Sequence, residues 1–322
     1  MTLIDSQKPI PYVGFPIIAA CGFNCMYCLD GGEASVSTVK VLDVATLEER
    51  VTQCMEAGIT RFRITGGEPL LHPKIKQILE FLSLLPDNIK RDINTAGYWI
   101  TRMARIIEEH SKGIKYTVSL DSLNEHTFNS ISGTDRYYRS TLDGIEFLAS
   151  KGLLTRLNMM ALPCNVNEVN AIIEYCRTLG CGLKISETAP VLKPRKDFES
   201  HYQSVAPIEE SLAQRASRNY VLPYARDFGI PTRVYEVDGV SVIVKGESKG
   251  ARFNIEGVCG ACDYAPWKSG LCREGLYFIS ALADGGLSGC RFNGCYIEPA
   301  DFPGSLRKMI NTLQNTTLME FI

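Results

Sequence analysis

Six short apolar runs alternate with stretches of helical periodicity over the first two-thirds of the chain, and this alternation restricts the possible folds more than any other feature. The runs are Phe15 to Ala19, Arg61 to Thr65, Arg91 to Asn94, Tyr116 to Leu120, Thr155 to Ala161 and Gly182 to Glu187. Between them, apolar residues recur at helical spacing near Leu47 to Ala57, Lys74 to Leu84, Thr101 to Glu109, Thr141 to Lys151 and Val166 to Leu179. Short strand-like runs separated by amphipathic helices are the pattern of βα units and a parallel sheet. The alternation predicts an α/β protein built as a barrel or incomplete barrel, with functional side chains on loops at the C-terminal ends of the strands.

Beyond Pro190 the pattern changes. A polar stretch to about Ser204 precedes a helical run behind Pro207, and the segment from Thr232 to Val244 reads as a hairpin with Asp238 and Gly239 at its turn. A Gly- and Cys-rich tail follows, which places a boundary near Pro231: residues 1–230 form the barrel and residues 231–322 a small Cys-rich domain. The 322 residues, 45% hydrophobic, are enough for both. With 34 Lys and Arg against 36 Asp and Glu, net charge −2, there is no basic surplus for nucleic acid or an anionic membrane, and a small-molecule substrate fits better. The first twenty residues carry no basic leader with an apolar core, and no run reaches the roughly 18 apolar residues of a membrane span. The expected location is cytoplasmic, where clusters among the 12 cysteines point to metal rather than disulfides.

The first cluster is Cys21, Cys25 and Cys28, in the loop after the first run. One short loop with this spacing can wrap three thiolates around a four-iron cubane and leave one iron open to a small chelating molecule. A closed zinc site needs a fourth ligand, and none of the four histidines lies nearby in sequence. The second motif, Gly66-Gly67-Glu68-Pro69, directly follows a strand and precedes a helix. Paired glycines let the backbone approach a ligand, and a carboxylate beside them can accept hydrogen bonds from an ammonium group. Polar residues close other strands: Asn94, Thr95 and Gly97; Ser119 and Asp121; Asn158; Glu187 and Thr188. One by one they read as caps or turns; together they occupy one rim.

The spacing CxxxCxxC with aromatic Tyr27 before the last cysteine resembles the radical S-adenosylmethionine superfamily. ArgIleThrGlyGlyGluPro, AsnThrAlaGly, ValSerLeuAspSerLeu, IleSerGly and ArgLeuAsnMetMet follow in the order of its branch typified by the GTP 3′,8-cyclases of molybdenum-cofactor biosynthesis. The likeness covers roughly Phe15 to Pro190. It implies an incomplete (β/α)6 TIM-like barrel, a [4Fe-4S] cluster on Cys21, Cys25 and Cys28, and S-adenosylmethionine held by Tyr27, Gly66, Gly67, Glu68, Thr95, Ser119, Asn158 and Thr188. An external donor of the flavodoxin or ferredoxin type would reduce the cluster, and the 5′-deoxyadenosyl radical so released would abstract hydrogen from substrate.

In the tail stand Cys259, Cys262, Cys272, Cys290 and Cys295. By themselves they suit zinc or iron–sulfur. After such a barrel they resemble the auxiliary-cluster extension of SPASM or twitch type, which implies a second [4Fe-4S] cluster on Cys259, Cys262, Cys272 and Cys290, with Cys295 a further candidate. The sequence departs from the cyclases in having no arginines after the CxxC pair. Arg61, Arg63 and Arg156 remain as substrate-binding candidates, enough for a carboxylate or monophosphate but few for a triphosphate. The first reading is therefore an oxidoreductase or lyase acting on a nucleoside, sugar or amino-acid derivative. The alternatives are the GTP cyclase, a peptide-modifying enzyme and a non-enzymatic zinc or iron–sulfur protein. No catalytic acid or base is assignable. Cys54, Cys164, Cys176 and Cys181 read as buried apolar side chains, and the four histidines as surface or cap residues.

Overall fold

The computed structural model describes residues 12–28, 37, 39–188, 200–221, 232–246, 251–252, 278–289, 296–297, 301–314 and 320–321. Six parallel strands run in chain order: β1 (Val13–Pro16), β2 (Arg61–Thr65), β3 (Lys90–Thr95), β4 (Ile114–Ser119), β5 (Leu154–Ala161) and β6 (Gly182–Glu187). The helices between them are α1 (Val44–Glu56), α2 (Ile75–Leu84), α3 (Ala104–His110), α4 (Glu125–Ser132), α5 (Tyr138–Ser150) and α6 (Val169–Leu179). The expected alternation is present. One helix, α4, was not anticipated; Asn124 caps it by accepting the Thr127 N–H at 3.1 Å, and Gly133 ends it in the left-handed region. The first strand lies two residues earlier than expected, since Ile18 leaves the parallel ladder to bridge Val41.

Both margins of this core are extended. Beyond β6 the order continues β9 (Val240–Lys245), β8 (Thr232–Val237) and β7 (Arg218–Val221), behind α7 (Ala206–Arg215). The β8–β9 turn is the expected one, with Asp238 at φ 53° and Gly239 at φ 81°, as a two-residue hairpin requires. Beyond β1 lie β11 (Ile279–Ala281), β12 (Leu287–Ser288) and β13 (Tyr296–Ile297). A separate pair joins β10 (Ala251–Arg252) to β14 (Glu320–Phe321), and α8 (Phe302–Gln314) contacts α1. Among the described residues β13 and β7 are the sheet's margins, so the sheet is an arc and not a closed ring. The boundary expected at Pro231 lies outside the described residues.

Strand alternation gives this arc two different faces. Phe15, Phe62, Ile64, Ile93, Val118, Leu157, Leu183 and Ile185 are buried against the helices, with Leu47, Val51, Ile78, Leu79, Ile145, Leu148 and Ile172 opposite them. The residues that alternate with them along each strand point the other way, and among these are the polar Arg61, Arg63, Asp92, Asn94, Thr117, Ser119, Arg156, Asn158, Lys184 and Lys245. The greasy face builds the core, and the polar inner face is left for chemistry.

At the end of β5, fully buried Asn165 donates from Nδ2 to the carbonyls of Asp121 (2.8 Å) and Met160 (2.9 Å), while its Oδ1 accepts the Leu162 N–H (2.8 Å). It locks the loops after β4 and β5 together. Replacing it with Ala leaves buried backbone groups unpaired, and urea unfolding of Asn165→Ala is expected to show a loss of about 3 kcal/mol.

Candidate active site and metal centre

The loop bearing Cys21, Cys25 and Cys28 is shaped by its neighbours. Asn24 and Met26 donate backbone N–H groups to the carbonyls of Ser132 (2.8 Å) and Ile131 (3.0 Å), the otherwise orphaned acceptors at the C-terminus of α4. On its other side, the Gly67 N–H donates to the Ile18 carbonyl at 2.6 Å and the Glu68 N–H to that of Ala20 at 2.8 Å. The loop after β2 thus grips the chain just before Cys21. Glycine is obligatory at this contact: a Cβ at residue 66 would lie 2.3 Å from the Ile18 oxygen, and one at residue 67 would lie 2.4 Å from that of Ala20.

Glu68 is fully buried and accepts three hydrogen bonds: Thr95 Oγ1 (2.7 Å) and the Leu70 N–H (3.0 Å) at Oε1, and the Ala96 N–H (2.6 Å) at Oε2. Burial raises its pKa, and those donors counteract the rise. Glu68 and Thr95 therefore form a strut between the ends of β2 and β3. Ser119 and Asn158, by contrast, are direct cross-strand partners on the inner face. Thr188, just beyond β6, is buried, and among the described residues its hydroxyl has no hydrogen-bond partner.

Tyr27 has a buried hydroxyl that donates to Asp121 Oδ2 at 2.6 Å, while Asp121 Oδ1 accepts the Met160 N–H at 2.7 Å. Burial pushes Asp121 up to about 6 and holds the Tyr27 phenol well above its ordinary value, with Asp121 adding to the latter. Cys21 and Cys25 are raised first by burial, then by acidic neighbours: Glu68 and Cys28 for Cys21, and Asp121, Cys28 and Cys21 for Cys25. Three thiols with two carboxyl groups beside them make a pocket in which ionising a further group is unfavourable. A metal centre relieves this, because coordination removes the thiol protons and supplies positive charge. Among the described residues, no three His, Cys, Asp or Glu side chains form a cage for a single ion.

The structure brings Arg61, Arg63 and Arg156 to the inner face. Arg61 Nε lies 3.8 Å from Asp92, Arg63 stacks over Tyr12 at 4.0 Å and donates to its hydroxyl at 3.0 Å, and Arg156 Nε donates to Asn158 Oδ1 at 3.4 Å. Sequence reasoning missed Lys184 and Lys245, whose inward placement depends on strand register, and Thr117, whose buried hydroxyl has no partner among the described residues and lies across from both Asn94 and Arg156. It also missed Tyr98, Tyr137 and Phe23, which pack under the cysteine loop. Cys54, Cys176 and Cys181 are buried as expected, but Cys164 is exposed on the turn after β5. His72 is a buried cap, its Nδ1 accepting the Lys74 N–H. Cys259, Cys262, Cys272, Cys290 and Cys295 lie outside the described residues.

Comparison with known proteins identifies the family. The family model "Radical SAM superfamily" matches residues 15–176, half of the chain, and the chain belongs to that superfamily. It is therefore an enzyme class whose members carry a [4Fe-4S] cluster and use S-adenosylmethionine. A protein of Methanococcus maripaludis named "Probable GTP 3′,8-cyclase" is 28% identical over 228 residues, covering 70% of this chain and 72% of its own. Among solved structures, Streptococcus suis SuiB bound to S-adenosylmethionine superposes with a TM-score of 0.57 at 15% identity, over 88% of this chain and 58% of SuiB. Native anSMEcpe with bound AdoMet superposes at 0.58 and 14% identity, over 95% and 81%. At such identities these two show the fold alone, a partial barrel. No helix among the described residues is long and apolar enough to cross a membrane.

Two outcomes are expected for the metal-free chain. Glu68→Gln sets an amide N–H₂ against the Ala96 N–H, and its unfolding free energy falls by about 2 kcal/mol. Asp121 has a folded pKa above its ordinary 3.8, so the folded chain keeps a proton between about pH 4 and about 6 that the unfolded chain has released. Its contribution to stability declines as pH rises through that window. Asp121→Asn keeps the acceptor for Met160 and should flatten this decline, measured by denaturation at pH 4.5 and 6.5.

Proposed function

We propose that Cys21, Cys25 and Cys28 hold the [4Fe-4S] cluster and that the enzyme abstracts hydrogen from an anionic small molecule lying on the inner face of the sheet. The observation that carries this reading is the division of charge between the thiol- and carboxylate-rich loop at the rim and the basic inner face. When bound, the cluster supplies an electron to the sulfonium of S-adenosylmethionine, which yields methionine and a 5′-deoxyadenosyl radical. The chain's own residues then have separable tasks. The Gly66–Gly67 main chain, held in place by Glu68 and Thr95, receives the amino group of S-adenosylmethionine, and Tyr27, Ser119, Asn158 and Thr188 line its path from the rim to the inner face. Arg61, Arg63 and Arg156, with Lys184 beside them, fix the anionic group of the substrate. Excluding water around the radical falls to the buried rim.

A second cluster on Cys259, Cys262, Cys272 and Cys290, with Cys295 in reserve, belongs to the same proposal. Its support is the spacing of these cysteines in the sequence. Residues 231–322 are then the auxiliary-cluster part and residues 1–230 the radical-generating part. A reductant of flavodoxin or ferredoxin type serves as external donor.

A GTP 3′,8-cyclase is the second reading, favoured by the relatives of that name that align over 70% of the chain. Against it stands the sequence after Cys262, AspTyrAlaProTrpLysSerGly, which has none of the arginines expected there of a cyclase. Titrating the purified protein with GTP separates the two; saturable binding would move the assignment to the cyclase.

After anaerobic reconstitution, about eight irons per chain are expected, with 5′-deoxyadenosine formed from S-adenosylmethionine and dithionite. Cys25→Ala is expected to abolish deoxyadenosine formation, and Cys290→Ala to lose about half the iron while still cleaving the cofactor. Unchanged iron in either variant would remove that cysteine from its assigned site.

A further inference from the structure

Beneath the cysteine loop lies an aromatic stack that no ligand-binding role above uses. Tyr98 and Tyr137 stack with centroids 4.3 Å apart, and Phe23, from the loop itself, packs on Tyr98 at 5.0 Å, on Tyr137 at 5.8 Å and edge-on to Phe128 at 5.7 Å. Tyr98 is only 2% exposed. Its hydroxyl accepts the Gly22 N–H at 2.9 Å, and the approach is so close that a Cβ on residue 22 would sit 2.7 Å from that oxygen. The loop residue next to Cys21 is therefore built around this phenol.

The hydroxyl is also a donor, and among the described residues nothing accepts its proton. A buried donor without an acceptor is costly and uncommon. The negative groups nearest in electrostatic effect are Glu68 and Cys21, and with burial they keep the phenol protonated. Glu68 already accepts from Thr95, Leu70 and Ala96. The sulfur of Cys21, adjacent in sequence to the glycine that Tyr98 holds, becomes a charged acceptor beside it once it is a metal-bound thiolate.

We propose that Tyr98 is a positioning residue for the iron–sulfur cluster, anchoring the loop through Gly22 and donating its hydroxyl proton to the sulfur ligand sphere at Cys21. The inference rests on the reading that Cys21, Cys25 and Cys28 hold the cluster. Hydrogen bonds to cluster sulfurs stabilise the more electron-rich, reduced state and raise the reduction potential. Tyr98 thus makes the cluster easier to reduce than the bare loop would.

The test is an EPR-monitored redox titration of the reconstituted full chain, following the signal that S-adenosylmethionine perturbs, in the parent, Tyr98→Phe, Tyr137→Phe and Cys25→Ala. Tyr98→Phe keeps the stacked ring and removes only the hydroxyl. It is expected to shift the midpoint to more negative potential, or to lose the cluster while the chain stays folded by circular dichroism; Tyr137→Phe should do neither. Full iron with an unchanged or more positive midpoint in Tyr98→Phe overturns the proposal, as does the same shift in Tyr137→Phe. Cys25→Ala distinguishes the two levels of failure. If it retains the perturbed signal, the cluster assignment itself is wrong; if it loses the signal while Tyr98→Phe matches the parent, only the role of Tyr98 is.

Discussion

The interlock between residues 18–20 and 66–68 is the constraint on which the rest of the site depends. Two backbone hydrogen bonds, from Gly67 to Ile18 and from Glu68 to Ala20, join the first two βα loops at main-chain distance. Side chains cannot intervene there, which explains both glycines at once. The Glu68 carboxylate then carries the constraint to β3 through Thr95 and Ala96. A loop of eight residues with three cysteines and no regular structure of its own is in this way set against three strand ends before any metal arrives. Ordering it in advance lowers the entropic cost of binding a cluster.

Much of this was legible in the sequence, for a physical reason. Apolar period and loop chemistry are local properties, so the six strands, the hairpin at Asp238–Gly239 and the two rim motifs could be located from the residues themselves. What escaped depends on non-local geometry. Lys184 and Lys245 read as ordinary charges in apolar runs until register turns them inward beside Asn158 and Ser186. Asn165 looks like a loop residue, and its worth lies in bonds to Asp121 in the loop after β4 and to Met160 in β5. Glu68 could be recognised as important, but nothing in the sequence says that its carboxylate is buried in the frame. Tyr98 had one available signal, an aromatic directly after a motif glycine, yet its partner Gly22 is 76 positions away.

On the proposed reading, the distribution of charge would let a chain of net charge −2 serve both a cationic cofactor and an anionic substrate. At the rim, Cys21, Cys25, Cys28, Glu68 and Asp121 bring three thiols and two carboxyl groups together; burial raises Cys21, Cys25 and Asp121, and the acidic neighbours add to the rise at the two thiols. On the inner face, cations from β2, β5, β6 and β9 are countered at Arg61 by Asp92. β2 and β5 are three strands apart, about 14 Å along the sheet. A sulfonium would be drawn toward the first region and a carboxylate or phosphate toward the second. The two need not compete for one set of contacts, because parallel strands deliver loop ends to the rim while their alternating side chains face inward. On the proposed reading, the radical would be generated at the rim and the substrate anchored on the inner face, with the strand ends carrying Ser119, Asn158 and Thr188 between them.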